Sequence, residues 1–244
     1  MSQEHTVRSY DEELAHLSNL IARMGGLAEA QLEGAVHALS QRDSEKASAV
    51  IAGDAKVDEL EQEVHAFTVR LLALRQPVAQ DLRAIVAALK ISGDIERIAD
   101  YAANVAKRTL VLNQLPPVNP VAGVSRLGRL VQEIVKSVLD AYADEDVDKA
   151  VRVWRQDEEV DDIYTSLFRE LLTYMMEDPR NITPSIHLMF MAKNIERIGD
   201  HATNIAETIH FLVRGKPLAA ARPKGDTSIL LEPELEASAR ERKA

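Results

Sequence analysis

Apolar residues recur at three- and four-residue steps along most of the chain, the period of a helix that buries one face. From about 8 to 40 the stripe runs Leu14, Leu17, Ile21, Met24, Ala28, Leu32, Ala35 and Leu39. From about 43 to 75 it runs Val50, Val57, Leu60, Val64, Phe67, Leu71 and Leu74. From about 78 to 113 it runs Ile91, Ile95, Ile98, Ala102, Val105, Thr109 and Leu112. No segment alternates with period two, so no strand is expected. Pro77 can only open a helix at its position, which puts a hairpin turn at 75–77. Asn113–Pro120 reads as a linker, because its Pro–Pro step forbids helix continuation. The pattern then returns over about 121–143, 146–178 and 183–214. From Gly215 onward prolines and mixed charges replace the periodic stripe. Residues 215–244 are therefore expected to form a flexible tail, with 228–242 as its one candidate for a short helix.

The return is also a repeat in sequence. Residues 95–108 (IERIADYAANVAKR) match residues 195–208 (IERIGDHATNIAET) at eight of fourteen positions. Upstream, Asp43, Ala47, Asp54, Val57 and Asp58 correspond to Asp146, Ala150, Asp157, Val160 and Asp161 at an offset of 103. A duplicated unit of about 100 residues accounts for both. The expected fold is all-α: two tandem antiparallel three-helix bundles, one over 1–115 and one over 121–214, followed by the tail.

Composition supports this. Only 4% of the 244 residues are aromatic, and Gly and Pro number 10 and 9, too few for a sandwich or barrel. Cysteine is absent, which excludes disulfides, thiolate metal sites and a cysteine nucleophile. There is no signal-peptide pattern and no apolar run of membrane-spanning length, so a cytoplasmic location is expected. A net charge of −10 without a basic block argues against nucleic acid as a partner. It suits cations or a basic partner surface.

The informative polar feature is an acidic pair at i, i+4 in four helices: Asp54/Asp58, Glu96/Asp100, Asp157/Asp161 and Glu196/Asp200. Each pair puts two like charges on one helix face. Asp157 and Asp161 interrupt the apolar stripe itself, which runs Val147, Ala150, Trp154, Asp157, Asp161, Tyr164, Phe168 and Leu171. Glu96 continues the line through Leu82 and Leu89, and Glu196 lies seven residues after Met189. With turns near 76 and 179, both pairs of each repeat sit roughly 30 Å from their shared hairpin. Each repeat should therefore bring four carboxylates to one level. Such a group must bind cations, pair with Arg or Lys, protonate, or open to water. Oxygen-rich ligation suits Mg²⁺, Ca²⁺, Mn²⁺ or iron. The competing reading is a solvated acidic groove, partly neutralised by Arg97 and Arg197. Asn104, Asn204, His65 and His201 are secondary candidates near the acids, and Ala99, Ala102, Ala103, Ala106, Gly199, Ala202 and Ala206 make a small-residue surface for close helix packing. There is no phosphate-binding loop, dinucleotide turn, nucleophile elbow or HExxH, so no catalytic residue is assigned and no enzyme is expected.

The tandem units and the two ERIxD segments resemble the PhoU family, over about 8–214. The resemblance implies a six-helix accessory protein of the Pst phosphate-transport system that negatively regulates the phosphate-starvation (Pho) response and modulates phosphate uptake. It implies divalent or iron-type metal ions (Mg, Mn, Fe, Zn or Ca) at Asp54, Asp58, Glu96, Asp100, Asp157, Asp161, Glu196 and Asp200. It also implies a homodimer whose partners are the transporter ATPase subunit PstB and the sensor histidine kinase PhoR, with membrane contact only through them. Gly93–Asp94 departs from Lys193–Asn194 in the second repeat, so the two sites should differ in charge. The absence of a recognisable basic anion pocket argues against direct phosphate sensing. Two other readings stand beside this one. A di-iron carboxylate oxidase or iron store would use Glu13–His16 and Glu207–His210, although these E-x-x-H sequences are not equivalent in the duplication. A passive scaffold would have an acidic groove that binds no metal.

Overall fold

The computed structural model describes residues 2–218. It comprises six long helices: α1 (Ser2–Gln41), α2 (Ser44–Arg75), α3 (Ala79–Leu112), α4 (Val121–Ala143), α5 (Val147–Glu177) and α6 (Ile182–Arg214), with a 3₁₀ turn at Pro179–Asn181. No strand occurs among the described residues. The proposed tail helix at 228–242 lies outside them.

The local chemistry of the turns repeats with the sequence. Asp43 caps α2 by accepting from Lys46 N at 2.9 Å, and Asp146 caps α5 by accepting from Lys149 N at 2.9 Å. The residue before each cap turns the chain left-handed, Arg42 at φ 54° and Glu145 at φ 50°. Arg42 has a second role: its Nη2 donates to the carbonyls of Leu112, Asn113 and Leu115, closing the open end of α3. At the other end of that hairpin the proline expectation shifts. Pro77 stays outside the helix; Gln76 ends α2 at φ 46° and α3 starts only at Ala79. Pro179 does open helical structure, as the first residue of the 3₁₀ turn, with Asp178 accepting from Arg180 N. Gly215 ends α6 at φ 72°, its N–H returning to Phe211 O at 2.9 Å.

Among the described residues, α2 packs only on α1 and α3, and α5 packs on α4, α6 and the 3₁₀ turn. The other four helices form the centre, with α3 against α6 and α1 against α4 across the repeat boundary. One apolar core therefore runs through both repeats, from Leu20, Met24 and Leu32 on α1 through Ile91, Ile95 and Ile98 on α3 to Leu188, Ile198 and Ile205 on α6. The predicted small-residue surface is what permits this: Ala99, Ala102, Ala103, Ala106, Gly199, Ala202 and Ala206 are all buried. The α1–α4 seam is tight at a glycine. A Cβ on Gly128 would stand 2.6 Å from Val36 Cγ2.

Two residues of the predicted stripes face outward. Both lie toward the hairpin ends of their helices: Leu74 on α2 is 66% exposed and Phe168 on α5 37%. Most other exposed large apolar residues lie at those same ends, among them Val69, Val78, Leu172, Met176 and Phe190.

Candidate functional site

The hairpin register brings the acids of α2 and α3 together. Asp54 feels Asp100, and Glu96 feels Asp58 and Glu61 as well as Asp100 on its own helix. The Asp54 carboxyl is held above its ordinary range first by burial, then by Asp100 and Asp58, with Lys107 opposing. Burial likewise raises Glu96, followed by Asp100, while Arg97 opposes. Arg97 is the intrahelical partner that its spacing predicts, 3.5 Å from Glu96 Oε2 and 3.6 Å from Asp100 Oδ2. These lengths suit a loose, half-exposed bridge rather than full neutralisation. One oxygen is left over: Asp54 Oδ1 is buried with no hydrogen-bond partner.

The second repeat is built alike and neutralised differently. Asp157 is buried, and its Oδ1 lies 3.1 Å from Thr203 Oγ1, which is also 3.1 Å from Gly199 O. Glu196 Oε1 accepts from Lys193 Nζ at 2.7 Å, while buried Oε2 has no partner. Burial raises Glu196 most; Asp200 and Asp161 raise it further, and Lys193 lowers it. The sequence difference noted above thus has a physical form. Lys193 places a cation on this face, where the first repeat has Gly93.

The secondary candidates go elsewhere. His201 Nδ1 is 2.8 Å from Asp94 Oδ1, which also accepts from Asn204 Nδ2 at 3.3 Å. This joins α6 to α3 across the repeat boundary, a role for Asp94 that no local spacing signals. Asn104 accepts from Lys107 at 3.4 Å, and His65 is exposed. Of the two E-x-x-H sequences, Glu13 is clamped by Arg75 at 2.7 and 2.9 Å, and Glu207 accepts from Trp154 Nε1 at 3.0 Å. Neither glutamate stands in an acidic cluster.

Among the described residues, no three His, Asp or Glu side chains converge as a ready metal cage. Arg97 and Lys193 pair with individual carboxylates, and Thr203 lies against Asp157. The donor chemistry nevertheless fits a hard cation. Every candidate ligand is a carboxylate, and each repeat holds a buried carboxylate oxygen without a partner.

The raised acids make stability pH-dependent. In the unfolded chain these carboxyls lose protons at their ordinary pKa; in the fold they hold them to higher pH. The fold therefore binds more protons between the two values, and stability falls as pH rises through that window. His187 acts oppositely: burial, then Arg108, holds it below the ordinary 6.5, so the fold loses stability as pH drops through that region. A Glu196→Gln variant isolates one acid. In chelator-treated protein, its melting temperature relative to the parent is expected to climb from pH 5 toward pH 8. Parallel melting curves across that range would refute it.

The helix pairs and duplicated acidic faces define an all-α protein of two repeated three-helix units. The PhoU domain family model matches residues 21–109 and 124–209, and the chain belongs to that family. A Caulobacter vibrioides protein described as a phosphate-specific transport system accessory protein PhoU homolog is 54% identical over 224 residues, covering 91% of this chain and 97% of that protein. The crystal structure of PhoU from Pseudomonas aeruginosa superposes with a TM-score of 0.83 at 41% identity, covering 85% of this chain and 100% of that one. The phosphate transport system regulatory protein PhoU from Streptococcus pneumoniae superposes at 0.79 with 27% identity, covering 86% and 100%.

Proposed function

We propose that this chain is an accessory and regulatory protein of a phosphate-specific transport system. It acts as an adaptor between the transporter ATPase subunit PstB and the sensor kinase PhoR, and restrains the starvation response when phosphate is plentiful. Its relatives' descriptions support the transport-system role. The observation that carries the metal-binding part is the pair of equivalent acidic faces, each with an unpartnered buried carboxylate oxygen. Side-chain rotation would bring Asp54, Asp58, Glu96 and Asp100 on one face, and Asp157, Asp161, Glu196 and Asp200 on the other, onto divalent or iron-type ions. The ions would add positive charge beyond that of Arg97, Lys107 and Lys193 and brace α2 on α3 and α5 on α6 in one shape for partners. A homodimer working at the cytoplasmic side of the transporter is part of the same reading. No helix among the described residues is long and apolar enough to cross a membrane.

The test is alkaline phosphatase output in phosphate-rich medium, with the gene deleted and then restored. High output on deletion that falls on restoration is expected; low output in both states would sink the regulatory role. Restoration with all eight acids changed to Asn or Gln should leave output high if the metal-braced shape is what partners recognise.

A further inference from the structure

The sequence has no basic block, yet the tertiary structure builds a basic pocket. A cleft of about 450 Å³ lies where the second half of α3 meets the first half of α6. It is lined by Lys107 and Arg108 from α3 and by Lys193 and Arg197 from α6, with Asn104, Asn194 and Phe190 completing the wall. No acid lines it, although the chain carries 39 Asp and Glu. Four like charges at one cleft repel one another, and an anion between them relieves that repulsion.

The two arginines are held by aromatic rings, while Lys107 acts on Asp54 and Lys193 is paired with Glu196. The Arg108 guanidinium sits 4.2 Å from the Phe190 ring centroid. Arg197 lies over the Tyr101 ring at 5.7 Å, with Nη1 3.5 Å from the Tyr101 hydroxyl. Lys107 contacts the neutral Asn104. Only Lys193 has a carboxylate in ion-pair range among the described residues, Glu196, and an ammonium keeps two further donors. Arg97, the repeat equivalent of Arg197, instead reaches back to its own helix's acids.

The duplication provides an internal control. The seven equivalent positions, 100 residues away, are Lys90, Gly93, Asp94, Arg97, Asn204, Glu207 and Thr208. They carry two cations and two acids, against four cations and no acid. A twin cleft takes in three of these seven, Lys90, Glu207 and Thr208, and is completed by Phe211, Pro217 and Leu218. The cation-rich lining occurs in one copy of the repeat.

We propose that the cleft between Lys107–Arg108 and Lys193–Arg197 is a binding site for a phosphoryl-bearing polyanion, an oligophosphate. Arg forks match phosphoryl oxygens in pairs, and the lysines add point charge. Cations arriving from two helices across a cleft of this size suit two or more linked phosphoryl groups rather than a single one. The Phe190 ring, 51% exposed beside Arg108, offers a platform for a base, and a free oligophosphate and a nucleotide share the phosphoryl chemistry that the cations recognise.

The experiment is calorimetric titration of chelator-treated full-length protein with pyrophosphate, tripolyphosphate and ATP at about 0.15 M salt. One site per chain is expected. Arg108→Gln and Arg197→Gln should each weaken it by about tenfold, while Lys90→Gln, in the twin cleft, leaves it unchanged. Circular dichroism melts verify that each variant is folded. Tighter binding of ATP than of tripolyphosphate identifies a nucleotide ligand, and equal binding a plain oligophosphate; both support the site. No binding at millimolar concentration, or equal weakening by Lys90→Gln, overturns it. The variants leave the acidic faces untouched, so a failure here leaves the adaptor reading standing.

Discussion

Metal-free protein given a divalent cation at a hundred times its Kd is expected to melt roughly 10–20 °C higher. The magnitude follows from linkage. A ligand that binds only the folded state at that excess adds about 2.7 kcal/mol per site, so two faces give about 5 kcal/mol. A chain of this length gains about 2–4 °C per kcal/mol. Two features of the faces support so large an effect. Asp54, Glu96 and Glu196 are all held above their ordinary pKa by burial and by neighbouring acids, so a cation relieves repulsion already present. Asp54 Oδ1 and Glu196 Oε2 gain a partner they lack. Changing all eight acids to Asn or Gln should abolish the rise and leave the metal-free variant melting above the metal-free parent at pH 8. Scanning calorimetry with Mg²⁺, Mn²⁺ and Zn²⁺ in turn measures both. An equal rise in the variant would show that the ions bind elsewhere, and no rise in the parent at millimolar metal would remove the brace.

The second large effect concerns the seam between repeats. Gly128→Ala is expected to destabilise the protein by about 1–2 kcal/mol, even though alanine is the better helix former by about 1 kcal/mol. The new Cβ would stand 2.6 Å from Val36 Cγ2 and 3.1 Å from Cγ1, with both residues buried between α1 and α4. Val36→Ala removes those two methyl groups. In that background Gly128→Ala should become stabilising, so the double-mutant cycle changes sign. Urea unfolding of the four proteins provides the test; a cost that persists unchanged in the Val36→Ala background would show that the seam does not depend on this contact. The cycle also asks whether the repeats unfold together, as a core shared by α1, α3, α4 and α6 requires.

The helices were legible because a long amphipathic helix announces itself by period alone. The sequence places α3 at about 78–113 and α4 at 121–143, and the structure has them at Ala79–Leu112 and Val121–Ala143. The level carboxylates were legible too. An antiparallel hairpin with a known turn has a fixed register, so Asp54 had to meet the acids of α3. Leu74 and Phe168 misled because periodicity reports which face a residue occupies, not whether a neighbour covers it there.

What the chain determined by itself is therefore local: helix, turn, duplication, and the juxtaposition of residues joined by one hairpin. What only the tertiary structure decided depends on helices distant in sequence. The pairing of α3 with α6 merged two predicted bundles around one core, set Asp94 against His201, and gathered Lys107, Arg108, Lys193 and Arg197 around one cleft. No window of sequence contains those four cations, and each helix alone shows only two of them scattered among other charges. Their proximity arises from the close packing of α3 on α6, where Ala99, Ala102, Ala103, Ala106, Gly199, Ala202 and Ala206 are buried, a property of shape and volume rather than of period.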